Sequence, residues 1–212
     1  MRQNPFSDTL SFLTTGGWTT VVFWLLLLAS MGIALVNYRR DPQQRSALHL
    51  WNWLSRLFIG ALWWQQSLWK LPPTYTDQPD GSGGLRYWIE QMVHGASFGV
   101  QTDFVKKVVL PHFYFFAPQV YAGEVLVAIS LMLGLFTRVG GLLGALMAVN
   151  LWLGLYRLGS EWPWTYFFLI VIQIMFVAYR PGRSLGLDVL LHREESTAGS
   201  QDWRARVAKL VA

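Results

Sequence analysis

The chain has 212 residues, 53% of them apolar and 16% aromatic, with only 14% charged, where a soluble domain carries about 25% charged residues. This composition excludes an ordinary soluble protein and leaves one compact membrane bundle, without room for a second, soluble catalytic domain. The net charge of +5 does not point to nucleic acid as a partner, because most basic residues fall beside helix ends on one side, as membrane topology demands.

The N-terminus carries Arg2 and then the polar stretch QNPFSDTLS before an apolar segment at residues 17–37. A cleaved signal peptide has a shorter apolar region and a more basic start, so this segment is expected to stay as a first membrane helix. Further spans are expected at 51–71, 113–136, 139–156 and 163–179, giving five transmembrane helices in an all-α, polytopic bundle. Arg39, Arg40, Arg45, Arg138, Arg180, Arg183, Arg193, Arg204, Arg206 and Lys209 fall on one side, against Arg2, Arg86, Lys106, Lys107 and Arg157 on the other. The richer side belongs in the cytoplasm, which puts the N-terminus outside and the C-terminus cytoplasmic in a multi-pass protein of the cell inner membrane. Trp51 and Trp53 then mark the inner interface, and Trp18, Trp69, Trp162 and Trp164 the outer one.

The long outward segment at 72–111 opens with the turn-forming PPTYTDQPDGSGG. Beyond it Leu85, Trp88, Ile89, Met92 and Val93 recur at helical spacing, which predicts an amphipathic helix along the membrane surface. A second short helix is expected to start at Thr102 or Asp103 and run to Pro111. The two either plug a gap between spans or form a substrate lid. After Tyr179, RPGRSLGLD ends the last helix, and the tail at 192–212 has the pattern of a basic amphipathic helix.

Glu124 lies near the middle of an apolar run at 112–136. An ionisable group at the bilayer midplane costs about 3 kcal/mol even on insertion scales, so it is kept where it faces other helices, pairs, or serves a site. Counting about 1.5 Å per residue from the inner ends, Gln65, Glu124 and Asn150 all lie about 16 to 18 Å deep. In the second span Arg56, Gly60, Trp63, Ser67 and Lys70 share one helix face. Lys70 is near the outer boundary, and its stem is long enough to lower the ammonium towards Glu124.

Three accounts of this cluster stay open. In the first, Gln65, Asn150 and a protonated Glu124 simply hydrogen-bond across the bundle. They also suit the floor of a pocket for an amphipathic ligand such as a quinone, with Trp63, Trp64 and Trp152 as apolar walls. A proton or ion path is the third. His49, His94, His112 and His192 sit at or beyond the surfaces and none repeats at i, i+3 or i+4, so no metal or haem site is expected. The absence of cysteine further excludes a disulfide, a thiolate metal site, an iron–sulfur centre and a thioether haem link, so any electron carrier binds without thiols or belongs to a partner. Gly140, Gly141, Gly144 and Ala145 predict close helix packing.

Three stretches, RLFIGALWWQQSLWKL from Arg56, YAGEVLVAISLMLGLFTR from Tyr121 and RPGRSLGLD from Arg180, resemble the DoxX/DoxD family over residues 51–191. The family pattern falls on Arg56, Gly60 and Lys70, then Glu124, Gly134, Thr137 and Arg138, then Gly182, Arg183, Ser184, Leu185 and Asp188. The resemblance implies a four-helix membrane core at 51–191, with residues 1–50 as an added N-terminal helix and loop and 192–212 as a cytoplasmic tail. DoxD-like members are described as subunits of a thiosulfate:quinone oxidoreductase, so the resemblance implies a membrane subunit of a quinone-linked electron-transport system. In that reading Glu124 and Lys70 are the catalytic pair, and Gln65, Asn150, Trp63, Trp64 and Trp152 line a quinone pocket. Arg56 and Arg138 anchor the inner boundary, and partners are membrane lipids and other complex subunits. The alternative is a non-catalytic accessory subunit that stabilises a larger respiratory or photosynthetic complex, with the extra helix as its docking surface.

Overall fold

The helix that opens the described chain lies in the stretch read above only as polar. In the computed structural model, which describes residues 4–76 and 83–191, α1 (Pro5–Thr14) starts at Asn4, whose side chain accepts from the Ser7 amide at 2.9 Å. An asparagine cap followed by proline at the first helical position is a strong start signal. It outweighs the polar composition that follows.

α2 (Trp18–Arg40) comes next, and its buried side is the polar one. Ser30 and Asn37 face the bundle while Val21, Leu25, Leu28 and Met31 are exposed, the reverse of a soluble helix. A helix in hydrocarbon gains nothing by hiding leucine and must satisfy its hydroxyls and amides internally. Accordingly the Ser30 hydroxyl donates to the Met132 carbonyl at 2.6 Å and accepts from the Trp53 indole at 3.1 Å, while the Asn37 amide donates to the Gly186 carbonyl at 2.9 Å. Ser30→Ala should lower stability by about 0.6–1.7 kcal/mol, read as a drop in the thermal midpoint in detergent.

The core follows as α3 (Ala47–Ser67), α4 (Gly84–Gly95), α5 (Gly99–Phe104), α6 (Phe113–Leu133), α7 (Thr137–Leu155) and α8 (Pro163–Tyr179). Among the described residues all regular structure is helical. α2, α6 and α7 are long and apolar enough to cross a membrane, and α8 is a shorter apolar helix of 17 residues. α3 matches them in length but not in hydropathy, because His49, Asn52, Arg56, Gln65 and Gln66 dilute it.

α3 packs along α6, α6 along α7 and α7 along α8, while α2 lies against both α3 and α6. Small residues set the close approaches. A Cβ on Gly60 would lie 3.0 Å from the Met132 amide and 3.1 Å from the Ala128 carbonyl, and one on Gly141 would lie 3.0 Å from the Gln173 carbonyl. Gly141 and Gly144 thus give the close packing of α7 on α8, while Gly140 gives that of α7 on α6 at Ser130.

α4 follows the expected amphipathic pattern, with Leu85, Ile89 and Met92 buried. The next helix begins at Gly99 rather than at Thr102 or Asp103 and runs on through a π turn at Val105–Val109. Neither polar residue is used as a cap. The tail at 192–212 lies outside the described residues, as does part of the turn-rich opening of the 72–111 segment.

Candidate functional site

α3 ends at Ser67 and tightens into a 3-10 turn, Leu68–Lys70, that carries Lys70 over the middle of α6. There the Lys70 ammonium forms an ion pair with Oε1 of Glu124, the two residues being only 4% and 2% exposed. The ammonium also lies 4.1 Å from the centre of the Trp69 ring, within cation–π range. All five residues of the predicted face, Arg56, Gly60, Trp63, Ser67 and Lys70, are buried. Glu124 Oε2 and the Trp63 indole nitrogen are buried without a hydrogen-bond partner among the described residues. A buried acceptor and donor left open in this way each cost roughly 1–3 kcal/mol.

Beside the ion pair lies a cavity of about 1560 Å³. Trp63, Trp69, Trp88, Met92, Phe104 and Phe116 supply much of its apolar wall, and α4 with the α5–π turn covers one end. Gln65 and Asn150 line this cavity but are exposed to it, and among the described residues no hydrogen bond joins either to Glu124. The cross-bundle network that the three equal depths suggested is therefore not formed. Gln101 closes on the Asn150 turn of α7 at 3.4 Å.

Other expected wall residues lie elsewhere. Trp64 is buried in the packing between helices and does not line the cavity. Trp152 borders a separate pocket of about 300 Å³ with Ser97 and Tyr156, and packs on Tyr156 and Phe167. Sequence reading also missed a second carboxylate. Glu161 lines the cavity and accepts from the Tyr166 hydroxyl at 2.7 Å. Glu161 lies in the α7–α8 connection, and only the fold brings it to the same space as Glu124.

Arg56 and Arg138 belong to the other end of the molecule. Arg56 is fully buried, and its Nη1 donates to the carbonyls of Leu131 at 2.7 Å and Met132 at 2.9 Å, while Nη2 donates to Leu185 at 3.2 Å. Its guanidinium therefore meets backbone at the end of α6, not lipid head groups. Gly134, at φ +66, and Gly186 leave room for it, since a Cβ on Gly134 would lie 2.6 Å from the Arg56 guanidinium carbon. Arg138 starts α7 at this same end and is partly buried.

The chain after α8 folds back to complete the seat. Asp188 accepts from the amides of Phe136 at 2.7 Å and Thr137 at 3.1 Å and from the Thr137 hydroxyl at 2.6 Å, so it caps α7. Burial raises its carboxyl above the usual range, against the pull of the Thr137 and Phe136 hydrogen bonds and the Arg56 charge. Gln44 pins the same segment by accepting from the Leu185 amide at 2.8 Å, and Ser184 shares a hydrogen bond with His49 at 2.8 Å.

Two clusters are thus separated along the bundle: a polar seat built around Arg56, and a cavity with the Lys70–Glu124 pair. The residues that carried the family resemblance occupy both. The family described as TQO small subunit DoxD matches residues 51–209. No curated protein and no solved structure matches the chain. With that match extending over most of its length, from the start of the Trp51 turn of α3 onward, this apolar helical chain is a membrane protein and belongs to the DoxD family.

Proposed function

We propose that this protein is the membrane subunit of a quinone-linked oxidoreductase for thiosulfate or a related sulfur compound, and that the cavity beside Lys70–Glu124 is its quinone pocket. One observation carries the reading: a buried ion pair borders a large aromatic-walled cavity and leaves one carboxylate oxygen without a hydrogen-bond partner among the described residues. Five spans complete the topology, with α3 and α8 crossing beside α2, α6 and α7, the N-terminus outside and the C-terminus in the cytoplasm.

The open groups suit a quinone head. The Trp63 indole and the Lys70 ammonium are donors for a carbonyl oxygen, and Glu124 Oε2 is the acceptor that a quinol hydroxyl requires. A quinone bound there takes up two electrons and two protons to become the quinol, while the sulfur compound gives up two electrons through the cofactor of a partner subunit. Glu124 holds and passes a proton at Oε2, Lys70 neutralises the carboxylate when it is ionised, and the tryptophans exclude water. Gln65 and Asn150 orient the head from the cavity wall.

Glu124→Gln should lower quinone reduction by the purified complex about 10²-fold or more, the usual size of a lost acid–base group. Steady-state turnover with a soluble quinone checks this. Unchanged turnover and affinity in a variant that melts normally would remove Glu124 from the mechanism. A second reading, a non-catalytic accessory subunit, draws on the exposed apolar side of α2. Stoichiometric quinone in the isolated subunit, measured by mass spectrometry, counts against it.

A further inference from the structure

The cavity is open on one flank. α3 and α7 both pack on α6, but α3 makes no extensive contact with α7 or α8. On the two edges of the resulting gap, Leu62 of α3 and Leu146 of α7 line the cavity and yet are 44% and 60% exposed. Leu146 lies halfway along α7, a helix long and apolar enough to cross a membrane, so the opening at that height faces hydrocarbon.

A third edge comes from outside the family-matched residues 51–209. Phe12 of α1 lines the same cavity and packs edge-on against Phe23 of α2, with ring centres 4.9 Å apart. α1 is held there by the Trp24 indole, which donates to the Leu13 carbonyl at 2.9 Å. The cavity therefore holds polar groups inside, at Glu124, Lys70, Gln65, Asn150 and Glu161, and has an apolar mouth framed by Leu62, Leu146 and Phe12. That polarity gradient matches a molecule with a small polar head and a long apolar chain.

We infer that this gap is a lateral portal: the ligand reaches the cavity from the hydrocarbon, and its apolar chain leaves past Leu62, Leu146 and Phe12 while its head lies at Glu124. The occupant is the long chain of a membrane-dissolved quinone, so the inference rests on the quinone reading for its head group. It adds the route, the role of the chain, and Phe12 as a residue that selects ligands by chain. A tailless quinone binds the polar end without touching Phe12.

The absence of cysteine gives a direct test. In the complex reconstituted in phosphatidylcholine nanodiscs, Phe12→Cys supplies this chain with its single thiol, and the rate at which a maleimide labels this subunit, resolved from its partners by mass, is measured. A long-chain quinone at about ten times its dissociation constant should slow labelling about tenfold, by occupancy alone. A tailless dimethoxy-methylbenzoquinone at the same multiple of its own constant should leave the rate unchanged. Phe6→Cys, on the exposed side of the same helix, should be unaffected by either.

Equal protection by both quinones would overturn the portal by placing the head at Phe12. Protection by neither, while both bind in a Glu124-dependent way, would overturn it by sending the chain elsewhere and would leave the quinone reading standing. Slow labelling that depends only on the lipid acyl chains would make the occupant a phospholipid and also sink the proposal. If the wild-type complex binds neither quinone, the quinone reading falls first, and the assigned occupant with it.

Discussion

Lys70→Met should destabilise the protein by about 3–5 kcal/mol, the usual cost of breaking a buried ion pair and leaving one charge behind. The mechanism is the carboxylate of Glu124, which has no other hydrogen bond among the described residues and almost no contact with solvent. The double variant Lys70→Met/Glu124→Leu should recover most of the loss, because apolar side chains of similar volume often replace a buried pair at no net cost. Thermal melting in detergent, followed by tryptophan fluorescence, gives the three midpoints of the cycle. A Lys70→Met midpoint equal to wild type would mean that Glu124 is neutral and the contact is an ordinary hydrogen bond. The double variant has a further use: if it folds and fails to turn over quinone, packing and chemistry are separated at this position.

Asp188→Ala should cost roughly 3 kcal/mol, combining a lost helix cap with lost hydrogen bonds to a carboxylate. Three donors at the start of α7 lose their acceptor, and the buried Arg56 loses its neighbouring negative charge. The positive end of the α7 dipole loses its counter-charge as well. Thr137→Val removes only one of the three donors, so its cost should be about 1 kcal/mol. Melting midpoints of the two variants, read beside Asp188→Asn, check the ranking. If Asp188→Ala melted with Thr137→Val, the carboxylate would be a bystander of the turn rather than its cap.

The Lys70–Glu124 pair was legible in the sequence because a charge in a long apolar run has few places to go, and helical spacing put Lys70 on the face that also holds Arg56 and Trp63. Depth counting brought Gln65 and Asn150 to the same cavity but could not say whether they would touch, since it fixes height and leaves azimuth free. Trp152 shows the same gap: α7 is apolar all round, so periodicity does not tell which side meets the cavity. Arg56 was assigned to the membrane boundary because nothing local reveals that residues 185 and 186 return to its helix. Its seat is a long-range feature. α1 was missed for a different reason, since its start signal, Asn4 and Pro5, lies in a stretch whose polarity resembles a leader loop.

The seat of Arg56 also orders the birth of the molecule. One of its three carbonyl acceptors comes from Leu185, which leaves the ribosome 129 positions later. Until then the Arg56 guanidinium has only the carbonyls of Leu131 and Met132 to meet. The first core helix is therefore finished by a segment translated after α8, and a nascent chain halted before Leu185 leaves its guanidinium one acceptor short.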